Sequence, residues 1–131
     1  MNDLNIKVLI ADDNKEIRDL IRISLESNGI LVTEKENGLE VIEEIQKGCP
    51  DAFILDIDMP QLDGYGLIEK LKANEAWRKI PIIVCTGLIK DSKRGEKYWA
   101  NKLGVEMCLS KPFNPLTLIE IVKKLVKPGV S

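Results

Sequence analysis

The sequence predicts an α/β protein built on a parallel sheet with helices on both faces. Three observations carry that prediction. Short apolar runs alternate five times with longer stretches whose apolar residues fall at helical spacing. The short runs are nearly continuous in Val, Ile and Leu, as strands covered on both faces are. Three of them stop abruptly at polar residues. Val8-Leu9-Ile10-Ala11 ends at Asp12-Asp13, Phe53-Ile54-Leu55 ends at Asp56, and Ile82-Ile83-Val84-Cys85 ends at Thr86. If these strands are parallel neighbours, three carboxylates and a hydroxyl meet at the carboxyl edge of the sheet, where open α/β folds carry their chemistry.

Taken in order, Ile6 to Ala11 reads as a first strand, feeding a helix from Asn14 to Asn28 on which Ile17, Leu20, Ile21 and Leu25 share helical spacing. Gly29 stands where a C-terminal glycine cap belongs. Ile30-Leu31-Val32-Thr33 is a short second strand whose end turns polar at once, suiting an edge position. Asn37 followed by Glu40 is a variant of the capping box, and Leu39, Val41, Ile42 and Ile45 supply the apolar face of a second helix that ends by Gly48. Cys49-Pro50-Asp51 turns the chain into the central strand. After Met59, Pro60 forbids helix continuation, and Tyr65, Leu67, Ile68 and Leu71 begin helix three.

Ile80 to Cys85 reads as strand four, with Pro81 tolerable at its start. Lys90 to Lys102 reads as a charged helix ending at Gly104, and Met107-Cys108-Leu109 as a brief fifth strand. Lys111-Pro112-Phe113 makes a turn, Asn114-Pro115 is a cap with proline at the first helical position, and Leu118, Ile119, Val122 and Leu125 carry the last helix. The expected organisation is one domain over residues 1–131, with a core of about 5–126 and a short tail at 127–131 beginning Lys127-Pro128-Gly129.

The 131-residue chain is long enough to bury roughly two-thirds of its unfolded surface in one core. A formal net charge of −2 argues against a generic nucleic-acid or membrane binder, so the expectation is no direct nucleic-acid partner and no membrane association. No N-terminal segment resembles a signal peptide and no run approaches membrane-spanning length, which points to a cytoplasmic protein. Cys49, Cys85 and Cys108 show no C-x-x-C spacing and read as reduced thiols. The chain has no histidine, which removes His-based zinc sites, His-activated nucleophiles and any phosphohistidine of its own.

The Asp12-Asp13 pair, Asp56 in Leu55-Asp56-Ile57-Asp58-Met59-Pro60, Gly64, Thr86-Gly87 and Lys111-Pro112-Phe113 resemble, in order and spacing, the receiver domain of two-component response regulators. The resemblance covers essentially the whole chain. It implies a flavodoxin-like, doubly wound (βα)5 sheet in the order 2-1-3-4-5, whose switch point lies beside Asp13 and Asp56. It implies that Asp56 accepts a phosphoryl group with the help of Mg2+, or Mn2+, held by Asp13 and Asp56 directly, by Asp12 through water and by the backbone carbonyl of Asp58. Lys111, Thr86 and Gly87 are implied as phosphate contacts. The implied partners are a sensor histidine kinase or phosphotransfer protein as donor and a downstream protein target, with a phosphorylation-dependent dimer among the implied states.

Physical chemistry accounts for these residue types. A carboxylate attacking an anionic phosphoryl donor meets electrostatic repulsion, which a hard divalent cation held by oxygen ligands relieves. Without metal the clustered carboxylates repel, so at least one should titrate above an isolated aspartate. Lys111 is a point charge suited to a dianion, and glycine at 87 allows a close backbone approach.

Each residue has a plainer reading alone: Asp12-Asp13 as charges at a helix start, Thr86 as a strand residue, Lys111 as a surface lysine. Trp77, Tyr98 and Trp99 read as packing residues, Trp99 alternatively as a partner contact. Lys90, Lys93, Arg94, Lys97 and Lys102 outnumber Asp91 and Glu96, giving a locally basic segment that is either a solvated face or a docking surface. The rival readings of the whole are a haloacid-dehalogenase-like phosphatase using Asp56 and Asp58, and a non-phosphorylated pseudo-receiver. Receivers usually carry Tyr or Phe three residues before the lysine, where this chain has Cys108. The Thr86-to-Lys111 spacing is also slightly long, placing extra residues around the fourth helix. The readout is therefore expected to run through that helix and Cys108, involving the surface of the fourth helix, fifth strand and fifth helix.

Overall fold

In the computed structural model, which describes residues 6–59, 62–87 and 95–126, five strands and five helices alternate: β1 Lys7–Ala11, α1 Lys15–Glu26, β2 Leu31–Lys35, α2 Gly38–Ile45, β3 Ala52–Leu55, α3 Gly64–Ala73, β4 Ile82–Thr86, α4 Gly95–Leu103, β5 Met107–Ser110 and α5 Pro115–Leu125. All strand pairs are parallel and the sheet order is β2-β1-β3-β4-β5. The register sets Ala11 beside Leu55, and Leu55 beside Val84. Asp12 and Asp56 therefore leave adjacent strands at the same level, one step past the paired residues.

Strands β1, β3, β4 and β5 each face both layers, while the edge strand β2 has no fully buried residue. Leu9, Phe53, Leu55, Ile82, Val84 and Cys108 point into a core shared with Val41, Ile45, Leu67, Leu71 and Ala100. Val8, Ile10, Ile54, Ile83, Cys85 and Leu109 point into the opposite core with Ile21, Leu25, Leu118 and Val122. This two-sided burial is why the strands read as unbroken apolar runs.

Helix ends follow local chemistry. Asn14, Asn37 and Asn114 accept backbone N–H groups of Ile17, Glu40 and Leu116. The Glu40 carboxylate reaches back one residue further than the usual box, accepting the Glu36 N–H at 3.0 Å. At the end of α1, Gly29 adopts φ 79° while the Ile30 N–H donates to Leu25 O at 3.1 Å, the left-handed glycine termination foreseen there.

Several expectations are corrected. Leu20 and Leu39 are exposed, at 41% and 48%. The buried stripes instead run Arg18, Ile21, Leu25 on α1 and Gly38, Val41, Ile45 on α2, a spacing of three then four that leaves Leu20 and Leu39 on the flanks. The second strand continues into Glu34 and Lys35, because pairing with β1 persists to Ala11 opposite Lys35. Strand four starts after Pro81 and includes Thr86, which pairs with Ser110. Helix α2 stops at Ile45, short of Gly48. Pro60, Gln61, Lys90 to Arg94 and the tail from Lys127 lie outside the described residues. Trp77 and Trp99 pack against the α2–α3–α4 core, and Tyr98 meets Trp99 edge to face at 5.3 Å.

Gly64 joins the fold to the site. A Cβ there would stand 2.5 Å from both Asp56 O and Ile57 Cα, and its N–H donates to Ile57 O at 2.9 Å. Backbone cannot yield as a flexible side chain can, so Gly64→Ala forces the β3–α3 turn apart. The expected loss is about 1–3 kcal/mol, read as a lower urea midpoint with an unchanged m-value.

Candidate metal centre

Carboxylate oxygens of Asp12, Asp13 and Asp56 lie within 4.8 Å of one another. They line a cleft of about 250 Å³ together with Asn14, Asp58, Thr86, Gly87 and Lys111. Asp12 is 3% and Asp56 6% exposed, whereas Asp13 faces solvent. The three strand ends and Lys111 thus converge as the sequence anticipates. Thr86 is buried at the end of β4, and among the described residues a Cβ built at Gly87 meets no atom within 4 Å.

Backbone bonds hold the cluster together. The Asp56 N–H donates to Ala11 O at 2.9 Å, the Asp12 N–H to Lys35 O at 3.2 Å, and the Lys111 N–H to Thr86 O at 2.9 Å. Asp12 Oδ1 accepts the Asn14 N–H at 2.9 Å and Asp56 Oδ1 accepts the Asp58 N–H at 3.3 Å. Lys111 Nζ then spans two carboxylates, at 2.6 Å from Asp12 Oδ2 and 3.1 Å from Asp56 Oδ2.

Burial pushes the Asp12 carboxyl above the usual carboxylate range. Its hydrogen bonds to Lys111 and Asn14 pull the other way without prevailing, and repulsion from Asp56 adds only a minor upward push. The direction agrees with the sequence expectation, but desolvation rather than like-charge crowding dominates. Burial acts to lower the Lys111 ammonium, yet its contacts with Asp12 and Asp56 prevail and hold it above its ordinary value. Among the thiols, burial pushes Cys85 far up and Cys108 up to about 11, while Cys49 is exposed. Both strand cysteines are thus inert neutral groups at physiological pH.

Two residues without a sequence signal complete the surroundings. Arg18, buried on α1, donates from Nη1 to the backbone carbonyl of Asp12 at 2.7 Å. Glu96 on α4 accepts both the backbone N–H and the hydroxyl of Ser110, at 2.8 and 2.9 Å, immediately before Lys111. Arg18 stood among helical charges and Glu96 in a charged run; only their tertiary partners set them apart.

The donor set suits a small hard cation: oxygen ligands only, clustered, with one carboxylate open to solvent. A five-stranded 2-1-3-4-5 sheet with this acidic cluster and a lysine after the last strand defines the class, and the comparisons agree. The response regulator receiver domain model matches residues 8–123, and the chain belongs to that family. Response regulator GtcR of Aneurinibacillus migulanus is 38% identical over 112 residues, covering 86% of this chain and 44% of that protein. The receiver domain of Francisella response regulator 1452 superposes with a TM-score of 0.83 at 36% identity, covering 94% of this chain and 98% of that one. The receiver domain of sensor histidine kinase PA1611 from Pseudomonas aeruginosa, with a magnesium ion coordinated in its active site cleft, gives a TM-score of 0.81 at 26% identity over 93% of this chain and 98% of that one. The chain spans about half the length of several curated relatives it matches. Receiver domains are in general non-enzymatic signalling domains that interact with histidine kinases and downstream targets, and the family binds magnesium at its acidic site. Among the described residues, no helix is long and apolar enough to cross a membrane.

Because the folded state favours the protonated form of Asp12, the stability linked to that proton is present below the ordinary carboxylate pKa and lost as pH rises through the raised folded value. At neutral pH the charged group is therefore a cost to the metal-free fold. Asp12→Asn is expected to raise the urea midpoint in chelator at pH 7, with the gain vanishing towards pH 3, where wild-type Asp12 is itself neutral.

Proposed function

We propose that this chain is a phosphoryl-accepting receiver in which Asp56 is the acceptor. One observation carries the reading: Asp12, Asp13 and Asp56 place carboxylate oxygens within 4.8 Å of one another while Lys111 reaches two of them. Since these residues hold no histidine, a phosphohistidine donor lies outside them, on a kinase or phosphotransfer protein. An Asp56 carboxylate oxygen forms the new P–O bond as the donor's P–N bond breaks, leaving an acyl phosphate on Asp56 and the electron pair on the departing imidazole.

In this reading Asp13 and Asp56 hold Mg2+ (or Mn2+), with Asp12 acting through water and the Asp58 carbonyl contributing an oxygen. The bound cation supplies the positive charge that offsets repulsion between carboxylates and phosphoryl oxygens. Lys111, already facing Asp56, exchanges its carboxylate contact for a phosphoryl oxygen. Thr86 contributes its hydroxyl and Gly87 its backbone to the same group. The chain promotes only its own phosphorylation and dephosphorylation, and its family membership gives the phosphatase and pseudo-receiver readings no support.

Output would pass through α4, β5 and α5 to a downstream protein, with a dimer of the phosphorylated chain as one form of that output. Cys108, fully buried against Val84, supplies no ring to swing. The Glu96–Ser110 bonds offer another route, since they tie α4 to the residue preceding Lys111. Movement of Lys111 towards a phosphoryl group strains that tie. Glu96→Ala is accordingly expected to increase amide exchange across Lys97 to Leu103 in unphosphorylated protein, towards the exchange of the phosphorylated wild type; equal protection in both proteins would remove Glu96 from the output.

The acceptor assignment is tested by intact mass after incubation with acetyl phosphate. Wild type with magnesium is expected to gain one phosphoryl group, and chelator or Asp56→Asn to prevent it. Rapid turnover of many equivalents, or an adduct surviving in Asp56→Asn, contradicts the assignment.

A further inference from the structure

Asp12 is held at every hydrogen-bonding atom it offers. Its N–H meets Lys35 O, its Oδ1 the Asn14 N–H, and its Oδ2 Lys111 Nζ. Its carbonyl accepts Arg18 Nη1 at 2.7 Å. Arg18 occupies a position on the buried stripe of α1 that a leucine would fill without desolvating a charge, and it is only 8% exposed. Its Nε donates to Glu34 Oε1 at 3.1 Å, and the other Glu34 oxygen accepts Arg22 Nε at 2.7 Å. A buried guanidinium persists only when paired and hydrogen-bonded. Glu34 supplies the pairing, but the fork's second arm ends on a residue of the acidic cluster.

We propose that Arg18 is a positioning residue for the cation site: by gripping the Asp12 carbonyl it sets the plane of the Asp12–Asp13 peptide, and with it the direction of the solvent-facing Asp13 carboxylate. The role rests on the metal-binding reading above. It requires a guanidinium, because an ammonium is a single point that serves either the carbonyl or Glu34 but does not reproduce the planar fork.

Electrostatics and positioning predict opposite signs. Arg18→Gln removes a positive charge that touches the Asp12 backbone within the acidic cluster, which by Coulomb's law alone strengthens cation binding. Loss of positioning weakens it, and outer contacts that orient metal ligands are typically worth about 10–100-fold in affinity. Arg18→Lys keeps the charge, so Coulomb's law alone predicts no change.

The test is calorimetric titration of Mg2+ into wild type, Arg18→Gln, Arg18→Lys and Glu34→Gln, with urea unfolding to confirm that each is folded and the Asp13 amide nitrogen shift followed by NMR in chelator. Expected are about tenfold weaker binding in Arg18→Gln, a smaller loss in Arg18→Lys, near wild-type affinity in Glu34→Gln, and an Asp13 shift displaced in both Arg18 variants. Folded Arg18→Lys binding as wild type does with an unmoved Asp13 shift overturns the proposal, whether or not Arg18→Gln folds. Glu34→Gln binding as weakly as Arg18→Gln assigns the effect to the ion-pair network and overturns it as well. A wild type that takes up no Mg2+ removes the underlying metal reading, and a displaced Asp13 shift would then still record the carbonyl contact without a cation to position.

Discussion

The contact of Lys111 with Asp12 and Asp56 is the constraint on which the rest of the structure depends. Two nearly buried carboxylates on adjacent strand ends form an arrangement that desolvation opposes. The lysine supplies the compensating charge from a turn that arrives only after the fifth strand. For its ammonium to reach both aspartates, β1, β3 and β4 must be parallel neighbours in register, and the Lys111 N–H must be tied to Thr86 O. The folded core thus builds the charge balance, and the charge balance in turn limits how the strand ends are placed.

That arrangement also explains why the site is poised for exchange. Asp12 is held above its ordinary pKa chiefly by burial, so ionising it carries a penalty that the fold has not fully offset. A cation replacing part of the lysine's role relieves the same penalty. Lys111 is then free to face a different anion without the aspartates losing their compensation.

The routes leading away from the site are made of backbone ties as well as side chains. Arg18 ends on a carbonyl, and Glu96 ends partly on a backbone N–H. Main-chain contacts of this kind transmit position rather than charge. Around Cys108 the packing leaves a small neutral thiol, and the α4–β5 tie of Glu96 to Ser110 stands immediately before Lys111.

How far the chain could be read in advance depended on how local each cause was. Strand tips at Asp12, Asp56 and Thr86, the three asparagine caps and the glycine at 29 are set by neighbours within a few residues. They are legible locally, and with them the fold. Helical spacing admits two adjacent stripes at Leu20 and Leu39, and only packing against the sheet chooses between them. The length of β2 is not a local property, because Glu34 and Lys35 extend by pairing with β1 rather than by their own propensity. Arg18 and Glu96 carried no sequence signal at all, since nothing local distinguishes an arginine on a carbonyl or a glutamate on a neighbouring strand from ordinary surface charge. The sequence by itself determined the alternation of strands and helices and which chemistry stands at the tips of β1 and β3, through periodicity and capping. Tertiary structure alone decided which charges meet, because a desolvated contact between residues 99 positions apart, as between Asp12 and Lys111, exists only after the sheet has closed the distance.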